Sequence, residues 1–476
     1  MLSIPQAVVH VTRVAGGTVV GMVPRRRRAA GLLAVLVLMT GACGQPDRRP
    51  SATPGPSTPG RAAAGGADRL VRVPVQVPAG LTAAPYDVPR HLNLPAGWSA
   101  SVYVRAAKPR FMAPTPAGDL LLSQPSRGTV LLIRKGADGT GQASEFLTGL
   151  NRPHDIVFAD VAGRSWVFVA EADRVVRYPY GTGDRPGPGE VVADGLPDTS
   201  TPELRGQYAH VLKNIAVRDG RLYVSIASTC NVCVSDTRSD PQRGAIYTYD
   251  AAGRNADRRL FARGLRNAEG LAFAPDSDDL WAVVNNRDNL PVPDDRDVDG
   301  DGRGDLDRRV TAYVDDHPPE PFTRVREGGF YGWPFCNPNP DRGVRNMPYD
   351  RDYDLNRDGR AADCATATPI DVGIPAHSAP LGLTFTAGTA APDLGAVIAL
   401  HGSWNRSRPT GYKVIHFPWR QGPGEQRDLA TGWLDESTGD AWGRPVDVAI
   451  DADGTLLVSD DASGAVIRLA SPRPAG

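Results

Sequence analysis

The segment VAIDADGTLLVSDD, residues 448–461, is one of six copies of a single pattern in this chain of 476 residues. A short β-rich run comes first, a turn containing Gly or Asp follows, and a second β-rich run then leads into polar residues. Short runs of alternating character around such turns are typical of β-hairpins. The other five copies begin at Met112, Ile156, Ile215, Leu271 and Leu383.

The spacing of these copies predicts the architecture. Their starts are 44, 59, 56, 112 and 65 residues apart, and most gaps leave room for a second hairpin, such as GTVLLIR at 128–134. Four strands per unit at this period are typical of propeller blades. We therefore predict an all-β fold, a six-bladed β-propeller over 88–471, with an acidic loop insertion at about 289–380 after the fourth blade. The alternative is a β-sandwich or two barrels, neither of which requires six copies.

Composition agrees with a folded β-protein and excludes some partners. The chain has 53 Lys and Arg against 54 Asp and Glu, so its net charge gives no reason to bind nucleic acid or an anionic membrane. A hydrophobic fraction of 41% allows a packed core and excludes wholesale disorder. Gly and Pro together make up about a fifth of the residues, which favours many tight turns over long helices.

The N-terminus carries an export signal. Four arginines at 25–28 precede an apolar run at 29–39, and the small residues TGA lead into Cys43. The run is too short for an ordinary transmembrane helix. We predict a signal peptide over 1–43 with a lipobox-like cleavage site, then a disordered Pro/Ser/Gly-rich tether and lead-in over 44–87. The protein would lie on the outer face of the cell membrane, attached only through its lipid, or be cleaved and secreted.

Export also determines how the remaining cysteines are interpreted, because an oxidising compartment favours disulfides. We predict the pairs Cys230–Cys233 and Cys336–Cys364. A redox pair or half of a zinc site is the alternative for the CxxC motif, but no second CxxC or nearby HxxxH supports zinc.

A propeller gathers its loops at one mouth of its central channel, so function is expected there. Arginines and histidines recur in the loops that precede the first strand of each copy. Such a mixture suits a polycarboxylate ligand, because guanidinium groups match carboxylates bidentately. The loops contain Arg110, His154, His210, Lys213, Asn214, Arg266, Asn267, His377 and Arg444.

Several motifs resemble the soluble pyrroloquinoline quinone (PQQ) dehydrogenases of the glucose/sorbosone dehydrogenase family over about 88–470. They include GLNRPHDI (149–156), GLRNAEGLAF (264–273), GGFYGWPFC (328–336), HGSWNRS (401–407) and GRPVDVAI (443–450). The resemblance implies a six-bladed propeller that holds PQQ, a tricarboxylate, over the channel mouth, with a calcium ion bridging cofactor and protein.

The same resemblance implies roles for single residues. His210 takes the place of the catalytic base, and Asn286, Arg287 and Asp288 lie where the family binds calcium, largely through backbone carbonyls. The acid near the base has no clear equivalent, since Asn231 occupies its neighbourhood and Asp236 lies nearby. The residues expected to bind the cofactor are Arg266, Asn267, Arg406, Arg444, Asn231 and His154.

These residue types suit alcohol oxidation, in which a neutral histidine accepts the hydroxyl proton while hydride goes to a quinone. The sequence thus predicts PQQ-dependent oxidation of an aldose or related polyol or aldehyde. An external electron acceptor is expected, because no CxxCH haem motif is present. The alternatives are a calcium-dependent lactonase-like hydrolase, which would need side-chain calcium ligands at several blade starts, and a non-catalytic binding module.

The acidic insertion suggests further calcium. Asp297, Asp299 and Asp301 before Gly302 form the start of an EF-hand-like loop, and Asp305 or Asp307 could complete the shell. Arginine occupies the position of the usual bidentate Glu, so the loop is not an EF-hand. A second candidate set is Asp354, Asn356, Asp358 and Asp363. A solvated acidic loop is the alternative for both.

Overall fold

The first strand of each sequence copy becomes the inner strand of one sheet, and the six inner strands contact one another in a closed ring. The computed structural model describes residues 69–181 and 186–472. The predicted signal peptide and the beginning of the tether, up to residue 68, lie outside the described residues. Within them, no helix is long and apolar enough to cross a membrane.

The chain enters through three strands: β1 (Leu70–Gln76), β2 (His91–Pro95) and β3 (Ser99–Arg105). Blades one and two follow, each a four-stranded antiparallel sheet. Blade one comprises β4 (Met112–Pro114), β5 (Leu120–Gln124), β6 (Thr129–Lys135) and β7 (Gly141–Leu147). Blade two comprises β8 (Ile156–Val161), β9 (Arg164–Ala170), β10 (Val175–Pro179) and β11 (Glu190–Ala193).

Blades three and four lie next in the ring. Blade three comprises β12 (Asn214–Arg218), β13 (Arg221–Ile226), β14 (Ala245–Asp250) and β15 (Arg259–Arg263). Blade four opens with β16 (Asn267–Phe273) and β17 (Leu280–Asn285), and the chain then forms helix α1 (Thr311–Asp316). The strands after α1 are β18 (Glu320–Arg324), β19 (Gly329–Phe330), β20 (Cys336–Pro338), β21 (Tyr349–Arg351) and β22 (Val372–Ile374).

Blades five and six complete the ring. Blade five comprises β23 (Pro380–Phe385), β24 (Ala396–Leu400), β25 (Lys413–Phe417) and β26 (Arg427–Ala430). A small hairpin, β27 (Leu434–Asp435) and β28 (Asp440–Ala441), precedes blade six, which begins with β29 (Pro445–Ile450), β30 (Leu456–Asp460) and β31 (Ala465–Ala470). Short 3₁₀ turns lie at Pro125–Arg127, Pro202–Leu204, Val234–Arg238 and Cys364–Thr366.

The two ends of the described chain close the ring together. Strand β3 pairs antiparallel with β31 as the next strand of blade six, and β1 then pairs parallel with β3. The prediction of a disordered stretch over 44–87 is therefore wrong for 70–76, which form β1. The alternating valines Val71, Val73 and Val75 are the signal for that strand, because every second side chain faces the protein.

The sequence predicted an acidic insertion after the fourth blade. In the structure the insertion lies within blade four. Strands β18 and β22 are the third and fourth strands of that blade, so the inserted loops are 286–319 and 325–371. Strand β19 pairs with β15 of blade three. The long gap between the fourth and fifth sequence copies thus contains the two outer strands of blade four and two inserted loops.

Apolar side chains fill the spaces between neighbouring blades. Among the described residues, six large buried clusters each join one blade to the next around the ring. The cluster between blades one and two, for example, packs Leu121 and Leu132 against Val167 and Val169. Since each blade buries both faces only when the ring is complete, closure stabilises every blade at once.

Buried polar groups reinforce these interfaces near the channel. Asp155 on blade two accepts a hydrogen bond from the Ile215 N–H of blade three at 2.9 Å. Asp447 on blade six accepts one from the Met112 N–H of blade one at 2.8 Å. Burial raises the pKa of Asp447 to about 6, although its backbone hydrogen bonds act in the opposite direction.

Both predicted disulfides are confirmed. The Cys230–Cys233 and Cys336–Cys364 sulfurs are bonded, and the second bond joins positions 28 residues apart within the inserted loops. Such a cross-link restricts the unfolded chain and so stabilises a region that has little regular structure of its own.

The pKa of Asp447 generates a test of the blade-six to blade-one contact. The proton is held more tightly by the folded state than by the unfolded chain, so this contribution to stability is complete below about pH 4 and is lost as pH rises through about 6. Asp447→Asn removes the titration. We expect its stability relative to wild type to increase by about 2 kcal/mol between pH 4 and 7, measured by urea unfolding across that range.

The matched control is Asp87→Asn at an exposed position. A difference between Asp447→Asn and wild type that does not vary with pH would contradict the assignment.

Candidate active site

One end of the channel collects the polar side chains, and antiparallel geometry explains why. In a hairpin, the residue before the first strand and the residue after the second lie at the same end. All six inner strands start from the same mouth, so the residues flanking them meet there. The opposite half of the channel is different, since it holds a cavity of about 320 Å³ lined mostly by apolar residues such as Leu271, Phe385 and Ile450.

His210 lies at this mouth in the loop before β12. Its Nδ1 is 2.9 Å from the Ser228 carbonyl oxygen and 3.0 Å from the Ser228 hydroxyl. A carbonyl only accepts, so Nδ1 carries the hydrogen and Nε2 keeps its lone pair. Burial, together with the charge of Arg266, lowers the pKa of His210 to about 4. The imidazole is therefore neutral at physiological pH with Nε2 available as a base.

Ser228 also connects this histidine to the next blade. Its N–H donates to the Arg266 carbonyl at 2.7 Å. The Ser228 backbone therefore forms hydrogen bonds with both His210 and Arg266. The Arg266 guanidinium is buried and pairs with the Asp288 carboxylate at 2.9 Å. Blades three and four thus place His210 and Arg266 side by side at the mouth.

Asn231 aligns the arginine with Asp288. Its side-chain amide exchanges two hydrogen bonds with the Asp288 backbone, both 2.9 Å long. Its backbone carbonyl accepts a hydrogen bond from Arg266 Nε at 3.3 Å. Asp236, the other residue considered as a partner of the base, instead binds Thr229 and Arg243. Neither contacts His210, whose partner is Ser228. Sequence comparison could not reveal this partner, because a backbone carbonyl has no residue signature.

Asp288 is the centre of a charged cluster. His377 Nδ1 lies 3.4 Å from its carboxylate, and Asn405 Nδ2 donates to it at 3.4 Å. His377 Nε2 donates at 2.7 Å to the Val314 carbonyl of α1, so both ring nitrogens face acceptors. Burial opposes the charged imidazole, but the hydrogen bond to Asp288 prevails and the pKa of His377 lies above its ordinary value. The cluster ties the inserted helix to the mouth.

Asn286, Arg287 and Asp288, the residues expected near calcium, have different neighbours in the structure. Asn286 contacts Glu320, a buried carboxylate that the sequence did not single out, through its backbone N–H. Burial raises the pKa of Glu320 to about 7. The Arg287 side chain is buried and pairs with Asp352 and Asp354, each at 2.5 Å. Arg287 therefore anchors an inserted loop.

Two arginines at the mouth are held mainly by carbonyl oxygens. Arg444 donates from Nε to the His401 carbonyl at 2.9 Å and from Nη2 to the Gly402 carbonyl at 2.7 Å. Within the described residues, no carboxylate pairs with its guanidinium. Arg406 donates to the Ala376 carbonyl and to Asp316, and its buried Nε has no partner in the described part of the chain.

Arg110 belongs to the same mouth, although the family resemblance did not assign it a role. Its guanidinium pairs with Asp461 at 3.1 Å, and the same carboxylate contacts His401 Nε2 at 2.9 Å. Asp461 follows the second strand of blade six, and Arg110 precedes the first strand of blade one. Their recurrence at equivalent positions in the repeat was the signal available in the sequence.

Glu269, His154 and Asn267 form a buried group between blades two and four. Glu269 accepts from Asn267 Nδ2 at 3.0 Å and lies 3.3 Å from His154 Nε2. Since a carboxylate accepts, Nε2 carries the hydrogen of this imidazole. Burial lowers the pKa of His154, and its buried Nδ1 has no hydrogen-bond partner among the described residues. Asn267 and His154 thus have fixed orientations, as residues that orient a ligand require.

The acidic loop brings some of its predicted ligands together. Carboxylate oxygens of Asp297, Asp299 and Asp305 lie within 4.8 Å of one another. Asp301 is not in this group, and its carboxylate accepts the Arg303 N–H. Arg308 forms an ion pair with Asp305.

The second acidic set is arranged differently from the expectation. Asp354 pairs with Arg287 and Arg309, and the Asn356 carbonyl oxygen accepts backbone N–H groups. This segment therefore anchors the insertion through its ion pairs.

Comparison with known proteins agrees with this geometry. The sequence profile described as TrAA12-like matches residues 92–471. The chain is 28% identical over 285 residues to a pyrroloquinoline quinone-dependent pyranose dehydrogenase from Coprinopsis cinerea, which covers 51% of this chain and 36% of that protein. The chain spans between 36% and 62% of the length of the curated relatives that it matches.

Solved structures share the fold. The holo form of the pyranose dehydrogenase PQQ domain from Coprinopsis cinerea superposes with a TM-score of 0.64 at 22% identity, covering 79% of this chain and 96% of that one. The calcium structure of Trichoderma reesei Carbohydrate-Active Enzymes Family AA12 gives 0.65 at 19% identity, with 80% and 96% covered. The similarity to PQQ-dependent sugar dehydrogenases inferred from the motifs is confirmed, and the chain belongs to the TrAA12-like family.

Proposed function

We propose that this protein oxidises a pyranose or related aldose with PQQ, and that His210 is the general base. The observation that carries the proposal is the His210 tautomer. Nδ1–H is fixed on the Ser228 carbonyl, which leaves the Nε2 lone pair free at a mouth lined by arginines. The PQQ-dependent pyranose dehydrogenase among its relatives supports the same chemistry.

The arginines of the mouth fit an anionic cofactor. Two backbone carbonyls orient Arg444, which has no carboxylate partner in the described residues. The carboxylate that pairs with Arg406 belongs to the exposed Asp316. Positive charge without an internal counter-ion attracts carboxylates bidentately. PQQ carries three carboxylates, so we propose that Arg444 and Arg406 bind them.

The oxygen ligands around Asp288 fit calcium. Asn405 Oδ1 is buried without a hydrogen-bond partner in the described residues, and the Asp288 and Glu320 carboxylates lie in the same cluster. Calcium prefers carboxylate, amide and carbonyl oxygens. We propose that it binds here, through backbone carbonyls of 286–288 with these side chains. The alternative hydrolase is disfavoured, because the blade starts carry mainly Arg and His.

The chain's own residues then have distinct tasks. When bound, PQQ supplies the electrophilic quinone that accepts hydride, and calcium polarises it. His210 Nε2 accepts the substrate hydroxyl proton, and Ser228 keeps the ring in the required tautomer. Arg266, fixed by Asp288 and Asn231, places positive charge beside the reacting centre, where it stabilises developing negative charge. Asn267, oriented by Glu269, and His154 complete the group of proposed cofactor contacts.

The direct test is reconstitution of the purified protein. We expect sugar-dependent reduction of an artificial electron-accepting dye only when PQQ and calcium are both present. The measurement uses a panel of aldoses and polyols, with protein treated with chelator and protein given PQQ alone as controls. No dye reduction with any sugar, despite PQQ binding seen by absorbance, would exclude a dehydrogenase and favour the binding module.

The base is tested by His210→Ala. Loss of a general base should lower kcat about 10²–10⁴-fold, while PQQ affinity, measured by absorbance titration, stays within about twofold because the arginines are unchanged. The control is His91→Ala in β2, on the outer edge of blade six. Wild-type turnover in His210→Ala would show that another group takes the proton.

We also propose that the acidic loop binds a structural calcium ion through Asp297, Asp299 and Asp305. Calcium would relieve the repulsion among three clustered carboxylates. The double substitution Asp297→Asn/Asp299→Asn should lower the calcium stoichiometry by one ion per chain in equilibrium dialysis. Dye reduction at saturating calcium should remain. Unchanged stoichiometry would show that Arg308 alone neutralises the loop.

Export as a lipoprotein, or secretion after simple cleavage, is the location that we propose from the N-terminal sequence. A tightly bound quinone suits that location, since the enzyme then needs no recycled nicotinamide pool. Electrons would pass to a separate acceptor.

A further inference from the structure

Trp404 is unusual among the large apolar side chains of the described residues. Five of them are substantially exposed, and Trp404 is the one aromatic member, with 72% of its surface exposed. Scattered exposed Val or Leu side chains are ordinary in folded proteins. A largely exposed indole is different, because tryptophan has a large apolar surface and its burial lowers the free energy considerably.

The backbone on the N-terminal side of this indole is fixed. Ser403 donates from its N–H to the Thr410 carbonyl at 2.9 Å, and its hydroxyl accepts from the Thr410 N–H at the same distance. Tyr412 donates to the Ser403 carbonyl at 2.6 Å. Tyr412 in turn lies beneath Arg444, with 5.4 Å between guanidinium carbon and ring centroid.

The C-terminal side is fixed equally well. Asn405 donates to the Asp288 carboxylate at 3.4 Å, Arg406 pairs with Asp316 at 3.3 Å, and the Ser407 N–H donates to Asp315 at 2.9 Å. The loop is thus held at both ends by residues of the mouth and the inserted helix. Since adjacent Cα atoms are about 3.8 Å apart, Trp404 stands next to the Asp288 cluster at the rim.

The surroundings of the indole indicate the kind of ligand. Ser403, Asn405, Arg406 and Ser407 are its neighbours in the sequence, so the exposed apolar ring belongs to a segment of hydrogen-bonding residues. Docking of another protein generally needs a contiguous apolar patch of several hundred Å². A pyranose ring matches the observed arrangement, because it has an apolar C–H face and a rim of hydroxyls.

We propose that Trp404 is a carbohydrate-binding residue, whose indole stacks on the C–H face of a pyranose at the rim of the mouth. The proposal rests on the proposed function for the identity of the substrate, and it extends that function by naming a residue that determines affinity. It separates the roles within HGSWNRS: Arg406 and the 401–402 carbonyls serve the cofactor side, and Trp404 serves the sugar.

The first test measures binding without redox chemistry. In protein free of PQQ, glucose, galactose, xylose and cellotetraose are titrated while tryptophan fluorescence is followed. We expect at least one sugar to change the emission of the wild type, and Trp404→Ala to abolish that change. Absence of any sugar-dependent change in the wild type, or its persistence in Trp404→Ala, would overturn the proposal.

The second test uses protein reconstituted with PQQ and calcium. Loss of about half of an aromatic side chain's burial corresponds to about a tenfold rise in KM for Trp404→Ala, with most of the effect on KM and little on kcat. Trp404→Phe should recover part of the affinity, and Leu260→Ala, exposed on β15 of blade three, should match the wild type.

The outcomes separate this inference from the proposed function. Sugar binding that depends on Trp404 without dye reduction would support the residue and refute the oxidation. Oxidation with an unchanged KM in Trp404→Ala would do the reverse. A loss of PQQ affinity in Trp404→Ala with no effect on sugar binding would show that the indole covers the cofactor, and would overturn the inference.

Discussion

Closure of the ring is the constraint on which the rest of the structure depends. A blade buries both of its faces only between two neighbours, and the sixth blade exists only because β3, from the start of the described chain, pairs with β31 near its end. Every interface cluster therefore relies on one long-range pairing. Side chains from blades one to six meet at the mouth for the same reason, since their positions follow from a closed circle.

Within the mouth, Asp288 organises the charged groups. It fixes Arg266, contacts His377 and Asn405, and exchanges backbone hydrogen bonds with Asn231. Its negative charge lets positive groups lie close together without their full mutual repulsion. Arg444 and Arg406 differ because carbonyl oxygens orient them while leaving their charge largely available. The protein thus separates cations that it neutralises itself from cations that an anionic ligand can neutralise.

The inserted loops show how function was built onto a repeated fold. They interrupt blade four between β17 and β18 and between β18 and β22. The first loop contains α1, whose Val314 carbonyl accepts a hydrogen bond from His377. The ion pairs of the buried Arg287 with Asp352 and Asp354 attach the second loop to the end of β17. An irregular segment of this length has little core of its own, so these ion pairs and the Cys336–Cys364 disulfide stabilise it. Trp404 is exposed on a loop that this insertion helps to hold.

The sequence by itself determined the repeat, the number of blades and both disulfides, and it indicated many of the polar positions at the mouth, because hairpin periodicity and recurring polar positions are local properties. It did not reveal Ser228 as the partner of His210, the buried Glu320, or the separate fates of Arg287 and Arg444. It also misjudged 70–76 and the position of the insertion. Only the tertiary structure decided these features, because backbone carbonyls leave no residue signature, and partners distant in the sequence meet only after the ring has closed.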